Sequence, residues 1–171
     1  LRDLTIAGLS LDDPTPLSRI LSLQSLSLRR CGIRDISFLS SIRQLKRLYI
    51  EEPDITDIQA IGNLGILDAL VLDCQRVSDI EPLSQLRFIL RLSLMNMTII
   101  KLEPLGKLLQ LEQLRIINCR ISHDLSPLSR LSELQFLDLR SSRAVSAPIS
   151  LSPLRHLQSL TRLDTRGVRI S

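Results

Sequence analysis

The chain has 171 residues, of which 44% are hydrophobic, yet only 2% are aromatic and tryptophan is absent. This length fits one domain with a sizeable core, and no apolar run approaches the length of a membrane span. The formal net charge of +4 is modest, and 19 of the 22 cationic residues are arginine, the side chain suited to planar pairing with carboxylates and phosphates and enriched at protein interfaces.

The predicted elements recur from the first residue onward. A Leu-x-x-Leu-x-Leu frame opens at Leu1, Leu23, Leu45, Leu67, Ile89, Leu111, Leu134 and Leu160, with five of the seven intervals being 22 residues and the last two 23 and 26. A fixed period of this length marks one supersecondary unit stacked on copies of itself, each unable to bury its apolar face alone. The second unit shows the logic: Leu26 and Leu28 alternate as in a short strand with both facing inward. The chain then turns at Cys31, Ile33 and Ile36 re-enter the core, and Leu39 and Ile42 lie three apart, as in a tight helical turn. The third unit repeats this with Leu48, Ile50, Ile55, Ile58, Ile61 and Leu64, and the fourth with Leu70, Leu72, Val77, Ile80, Leu83 and Leu86. Asp35, Asp57 and Asp79 precede the helical turns and are expected to cap their amides. Lys101 holds that place in the fifth unit, so the column is no acidic ladder for a metal.

Together with stretches such as RDISFL, TDIQAI, SDIEPL and LSPL, this frame resembles the leucine-rich repeat family over essentially the whole chain, in particular the 22-residue class of internalins and a protein-phosphatase regulatory subunit. The resemblance implies an α/β architecture: a right-handed solenoid with a concave parallel sheet and short helical or extended convex turns. It also implies that the concave strand surface binds partners. The expected organisation is a single solenoid over residues 1–171, the eighth unit truncated, within a longer protein.

The chain departs from that family at the ninth position of each unit, where the family carries an asparagine that ladders between turns. Here the column reads Leu9, Cys31, Pro53, Gln75, Met97, Cys119, Ser142 and Val168, so buried turn amides need other acceptors. Length changes fall at ISHDLSPL, with one extra residue, and within 141–153, whose Ser, Ala and Pro content reads as an exposed bulge.

Three aligned columns flank the strand leucines on the outward face. They place Tyr49, Val71, Met95 and Ile117 in an apolar band near the middle, and Arg91, Arg115, Arg140, Arg162 and Arg166 toward the C-terminal units with Phe136. Asp138 and Asp164 are interleaved. Apolar anchors bordered by arginine suit the energetic centre of a protein interface. The expected partner is therefore another protein. The alternatives are an architectural place in a large assembly such as a ribonucleoprotein, or the recognition segment of a larger enzyme.

Other chemistries find little support. The outward positions hold ten cationic and eight acidic residues and only two aromatics, a poor basis for phosphate binding or base stacking, so nucleic acid is not expected as the main ligand. His123 and His156, the only histidines, sit in no catalytic motif, and six glycines form no phosphate loop. No metal, cofactor, enzymatic activity or membrane association is expected. Cys74, at a strand edge, is a candidate for exposure without a base to activate it. Three cysteines at no metal-like spacing point to a reducing, intracellular and cytoplasmic setting. The acceptor pattern Asn96-Met97-Thr98 would lie at a strand end in a tight array and is discounted.

Overall fold

The computed structural model describes residues 1–171. Eight parallel strands form one sheet in chain order: β1 (Asp3–Ala7), β2 (Ser25–Arg29), β3 (Arg47–Glu51), β4 (Ala69–Asp73), β5 (Arg91–Met95), β7 (Gln113–Ile117), β9 (Phe136–Asp138) and β11 (Arg162–Asp164). Register follows the frame, so Leu4, Leu26, Leu48, Leu70, Leu92, Leu114, Leu137 and Leu163 stand in one row. This regularity has a simple cause. A one-residue slip would turn every leucine out to water.

Seven 3-10 turns carry the chain back, and no α-helix is present. In the second unit Leu39 N–H donates to Ile36 O at 3.0 Å and Ile42 N–H to Leu39 O at 2.9 Å. That spacing puts every third side chain on one side, which is why Ile36, Leu39 and Ile42 are all buried. The aspartates act as expected: the Oδ1 atoms of Asp35, Asp57 and Asp79 accept the N–H groups of Ser37, Gln59 and Glu81 at 2.8, 2.7 and 2.9 Å. Asp13 and Asp124 do the same for Thr15 and Ser126. In the fifth unit, where Lys101 replaces the aspartate, the 3-10 turn shrinks to Leu105–Lys107.

Between sheet and turns, 47 buried hydrophobic residues form one cluster. Each fully buried leucine or isoleucine contributes about 1.5–3 kcal/mol, so layers of these two residues suffice without large rings. Gly106 is a packing requirement: a Cβ there would meet the carbonyl oxygen of Pro127 in the next unit.

The turn after each strand takes two forms, a feature absent from the sequence reading. In six units the eighth residue is left-handed: Gly8, Arg30, Asn96, Asn118, Ser141 and Gly167 all have φ between 51° and 75°. In four of them this leaves the ninth residue inward, so Cys31, Met97, Cys119 and Ser142 are buried, whereas in the end units Leu9 is exposed and Val168 half-buried. In units three and four no residue has positive φ, and the eighth residue itself turns in: Glu52 is 1% exposed and Cys74 0%. Pro53 and Gln75 are exposed and do not belong to the ladder column, and Cys74, a candidate for exposure by sequence, is enclosed. Pro53 is the local reason in unit three: without an N–H it gains nothing from the inward place.

The missing asparagines are replaced residue by residue. One Glu52 carboxyl oxygen accepts Cys31 N–H at 2.6 Å, and the other accepts Gly32 N–H at 3.1 Å. Ser142 Oγ accepts Cys119 N–H at 3.1 Å and donates to Ile116 O at 2.7 Å. Cys119 Sγ lies 3.5 Å from Met97 N and 3.4 Å from Leu94 O. No buried side-chain polar atom is left without a partner, as the cost of an orphaned buried group demands.

A second, three-stranded parallel sheet was not anticipated. It pairs β6 (Thr98–Ile99), β8 (Arg120–Ile121) and β10 (Arg143–Ala144) on the flank that follows the long sheet. The four-residue insertion loops out directly after β10.

Candidate protein-binding site

The sheet presents three rows of outward side chains. The central row runs Thr5, Ser27, Tyr49, Val71, Ser93, Arg115, Asp138 and Asp164 across the strands. Tyr49 and Val71 are direct partners on β3 and β4, and Met95 and Ile117 are direct partners on β5 and β7. All four are partly exposed. They form two apolar pairs offset by two residues along the strands rather than one straight band, because Asp73 pairs with Met95 and Ser93 with Val71. A diagonal of this kind spans about 7–8 Å, within reach of long side chains.

Tyr49 is held from both sides. The Arg29 guanidinium lies 5.2 Å over its ring, and its hydroxyl is 3.4 Å from Glu51 Oε2. Burial, then the Glu51 charge, pushes its phenol above the usual value. Glu51 itself accepts Arg29 Nε at 3.0 Å and Arg30 Nε at 2.6 Å, and the Arg29 hydrogen bond is the main cause that holds it below the ordinary carboxylate range.

Toward the C-terminal units the arginines divide into two groups. Arg140 and Arg166 are occupied within the chain. Arg140 binds the fully buried Asp138 through Nε and Nη2 at 2.9 and 2.7 Å and approaches Asp164 at 3.5 Å. Arg166 holds Asp164 at 2.6 Å, and this hydrogen bond is the first cause that pulls Asp164 down to about 2. Arg91 pairs with Asp68 at 3.2 Å. Arg115 and Arg162, by contrast, meet no carboxylate. They lie over the two sides of the Phe136 environment, with guanidinium carbons 5.2 and 4.9 Å from its ring centre. The structure thus joins Arg115, Phe136 and Arg162 into one cation–aromatic cluster and removes Arg140 and Arg166 from the freely available cations.

Catalytic chemistry finds no constellation. Burial is the largest cause raising all three thiols, Cys74 to about 12 and Cys119 to about 11, and no group of three or more potential ligands is placed to hold a metal. His156 lies beside Arg155 Nε at 3.0 Å and His123 beside Ser146 Oγ at 3.4 Å. Asn96 of the glycan-acceptor pattern donates its amide nitrogen to Asp73 at 2.8 Å and accepts from Asn118 at 2.7 Å. The nitrogen a glycan needs is therefore engaged. No helix is long and apolar enough to cross a membrane.

No family model matches this sequence, and no curated protein matches it as a relative. Solved structures do match. An internalin (inlF) of Listeria monocytogenes is 29% identical, covers 100% of this chain and superposes with a TM-score of 0.85. The chain spans 49% of that internalin's length. Internalin C2 of the same organism is 29% identical with a TM-score of 0.82, over 96% of this chain and 71% of its own. A plant peptide hormone receptor, RGFR1, solved in complex with RGF2, shares the fold at 17% identity and a TM-score of 0.71, covering 97% of this chain and 28% of its own. With the 22-residue frame, the parallel sheet and the inward leucine rows, these likenesses identify the chain as a leucine-rich repeat protein.

Proposed function

We propose that the chain is a protein-interaction scaffold whose outward sheet face, concave in the family it resembles, binds a partner protein. The observation that carries this reading is the pairing of Tyr49 with Val71 and of Met95 with Ile117 on adjacent strands of a rigid sheet, partly exposed and bordered by charge. Eight strands at about 4.8 Å spacing give a face on the order of 30 Å long, enough for the roughly 800 Å² per side of an ordinary interface.

Tyr49, Val71, Met95 and Ile117 are the anchors, and Arg115, Phe136 and Arg162 supply a second contact with uncompensated positive charge, which favours encounter with an acidic patch. Arg91, Arg140 and Arg166 border the site, already tied to Asp68, Asp138 and Asp164. A protein that shares this fold, the plant receptor RGFR1, is solved in complex with RGF2, which supports a binding role. Three buried unpaired thiols support an intracellular, cytoplasmic setting.

Crosslinking of the protein in its natural complexes, followed by mapping of the linked residues, tests the reading. Crosslinks to one protein, gathered along β3 to β7, support it. Met95→Asp and Ile117→Asp should each abolish that complex while leaving the thermal midpoint unchanged, since neither residue faces the core. Unchanged affinity in both variants overturns the assignment of the site to this face.

A further inference from the structure

The cationic excess of the molecule lies in its C-terminal half. Residues 1–88 hold ten cationic and twelve acidic side chains, whereas residues 89–171 hold twelve and six. Part of this excess is organised by the second sheet. Arg120 of β8 and Arg143 of β10 are direct register partners, and Arg169, tenth in the next unit as they are in theirs, lies outside that sheet, where its carbonyl accepts Ile149 N–H at 2.9 Å. All three side chains are exposed. None of them joins an ion pair, although nine other cationic residues do. Like charges directly opposite one another on neighbouring strands repel, and an anion against Arg120 and Arg143 relieves that repulsion.

A cleft adjoins the pair. Residues 143–148, which contain the insertion after β10, face Gly167 and Arg169 across a cavity of about 510 Å³. Its charged lining residues are Arg143 and Arg169, with no carboxylate among the eight residues present. The backbone N–H groups of Ser146, Ala147 and Gly167 find no acceptor within the chain. Guanidinium forks and free amides together make a site of donors, the chemistry that receives oxyanions.

We propose that the Arg120–Arg143 pair and the adjoining cleft, lined by Arg143 and Arg169, bind an extended acidic peptide segment of a partner protein. Two features select this occupant. Arg120 and Arg143 stand side by side on neighbouring strands about 4.8 Å apart, and Arg169 lines the same cleft as Arg143, so the cations run in a line that suits an extended chain. Second, the flank carries no aromatic side chain on which a base could stack: Tyr49 and Phe136 lie on the long sheet, Phe38 is buried and Phe88 precedes β5. This site is separate from the sheet face and does not depend on it.

Fluorescence polarisation of a labelled peptide alternating Gly and Glu, titrated at low ionic strength with the 171-residue chain, tests the inference. Its Gln counterpart and a labelled oligouridine serve as parallel probes. The Glu peptide should bind and the Gln peptide should not. The double variant R143Q/R169Q should weaken binding by about tenfold or more, as loss of two charge-assisted forks implies. R2Q/R19Q removes the same charge at the other end of the solenoid and should change affinity by less than about twofold, because neither side chain reaches a peptide held at the C-terminal flank. Met95→Asp should leave this binding intact, so failure of the sheet-face site and failure of this one give different results. Equal losses in the two double variants, indifference to Glu against Gln, no binding, or tighter binding of oligouridine that depends on Arg143 and Arg169 would each overturn the proposal.

Discussion

Units three and four solve the same hydrogen-bonding problem as units five to seven, but with a different backbone. In the later units a left-handed residue after the strand turns the ninth side chain inward, and the chain then runs straight enough to build β6, β8 and β10. In units three and four the strand alternation simply continues by one more residue, Glu52 or Cys74 enters the core, and no second sheet forms. The comparison teaches that an inward side chain can satisfy the preceding turn from either place, the eighth residue as in Glu52 or the ninth as in Cys119 and Ser142.

The difference can be broken most forcefully at Glu52. Glu52→Gln keeps the shape but leaves one of the two N–H groups, of Cys31 or Gly32, facing an amide donor. Urea unfolding should show a loss of about 2–3 kcal/mol, the upper part of the range for an orphaned buried group. A stability equal to that of the parent chain would mean that the carboxyl group is not needed as a double acceptor. Ser142→Ala is the matching test in the later units. It deprives Cys119 N–H of its acceptor and Ile116 O of its donor, and should cost about 1–2 kcal/mol by the same measurement. A far smaller cost than at Glu52 would show that the two turn types differ in rigidity as well as in geometry.

The left-handed residues sharpen the comparison in the opposite direction. Ser141 is exposed at φ 59°, a conformation that costs a residue with a Cβ about 1 kcal/mol or more. Ser141→Gly should therefore raise the thermal midpoint slightly, by the equivalent of about 0.5–1 kcal/mol after the entropy of glycine is counted. The same substitution at Cys74, where no positive φ occurs, should only destabilise, by removing a buried side chain. The smallest effect is kinetic. With burial pushing Cys74 to about 12 and Cys119 to about 11, alkylation of the native protein at pH 8 should leave both thiols unmodified until denaturant is added. Rapid modification of either would show that its turn opens.

Much of the fold was legible because the inward leucines and isoleucines recur at fixed offsets, and Leu26, Leu48 and Leu70 fall in one row as their frame requires. The Asp35, Asp57 and Asp79 caps were legible for the same reason: one residue type before one local turn. The turn switch was not, since it depends on a φ value that Glu52 and Arg30 do not announce, although Pro53 in the ladder column was a usable sign. Alignment of columns found Tyr49, Val71, Met95 and Ile117 but could not tell which arginines were free. Arg140 and Arg166 lie two residues from aspartates on the same strands, and only their folded geometry shows that they close back onto them. The strand columns leave out the tenth position, where the second sheet sets Arg120 beside Arg143, and only the folded insertion brings Arg169 to the same cleft.

The replacement ladder also has a direction. Glu52 serves amides of the unit before it, Ser142 serves Cys119 and Ile116 of the unit before it, and Cys119 serves Leu94 and Met97 of the unit before that. These three turns are completed by material that follows them in the chain. On the ribosome, where the N-terminal units emerge first, each of the three must wait for its successor before its amides are matched, so the growing edge of the solenoid is less settled than what precedes it. Removing units from the C-terminal side strips acceptors from turns that remain, whereas removing them from the N-terminal side takes away only turns that were being served.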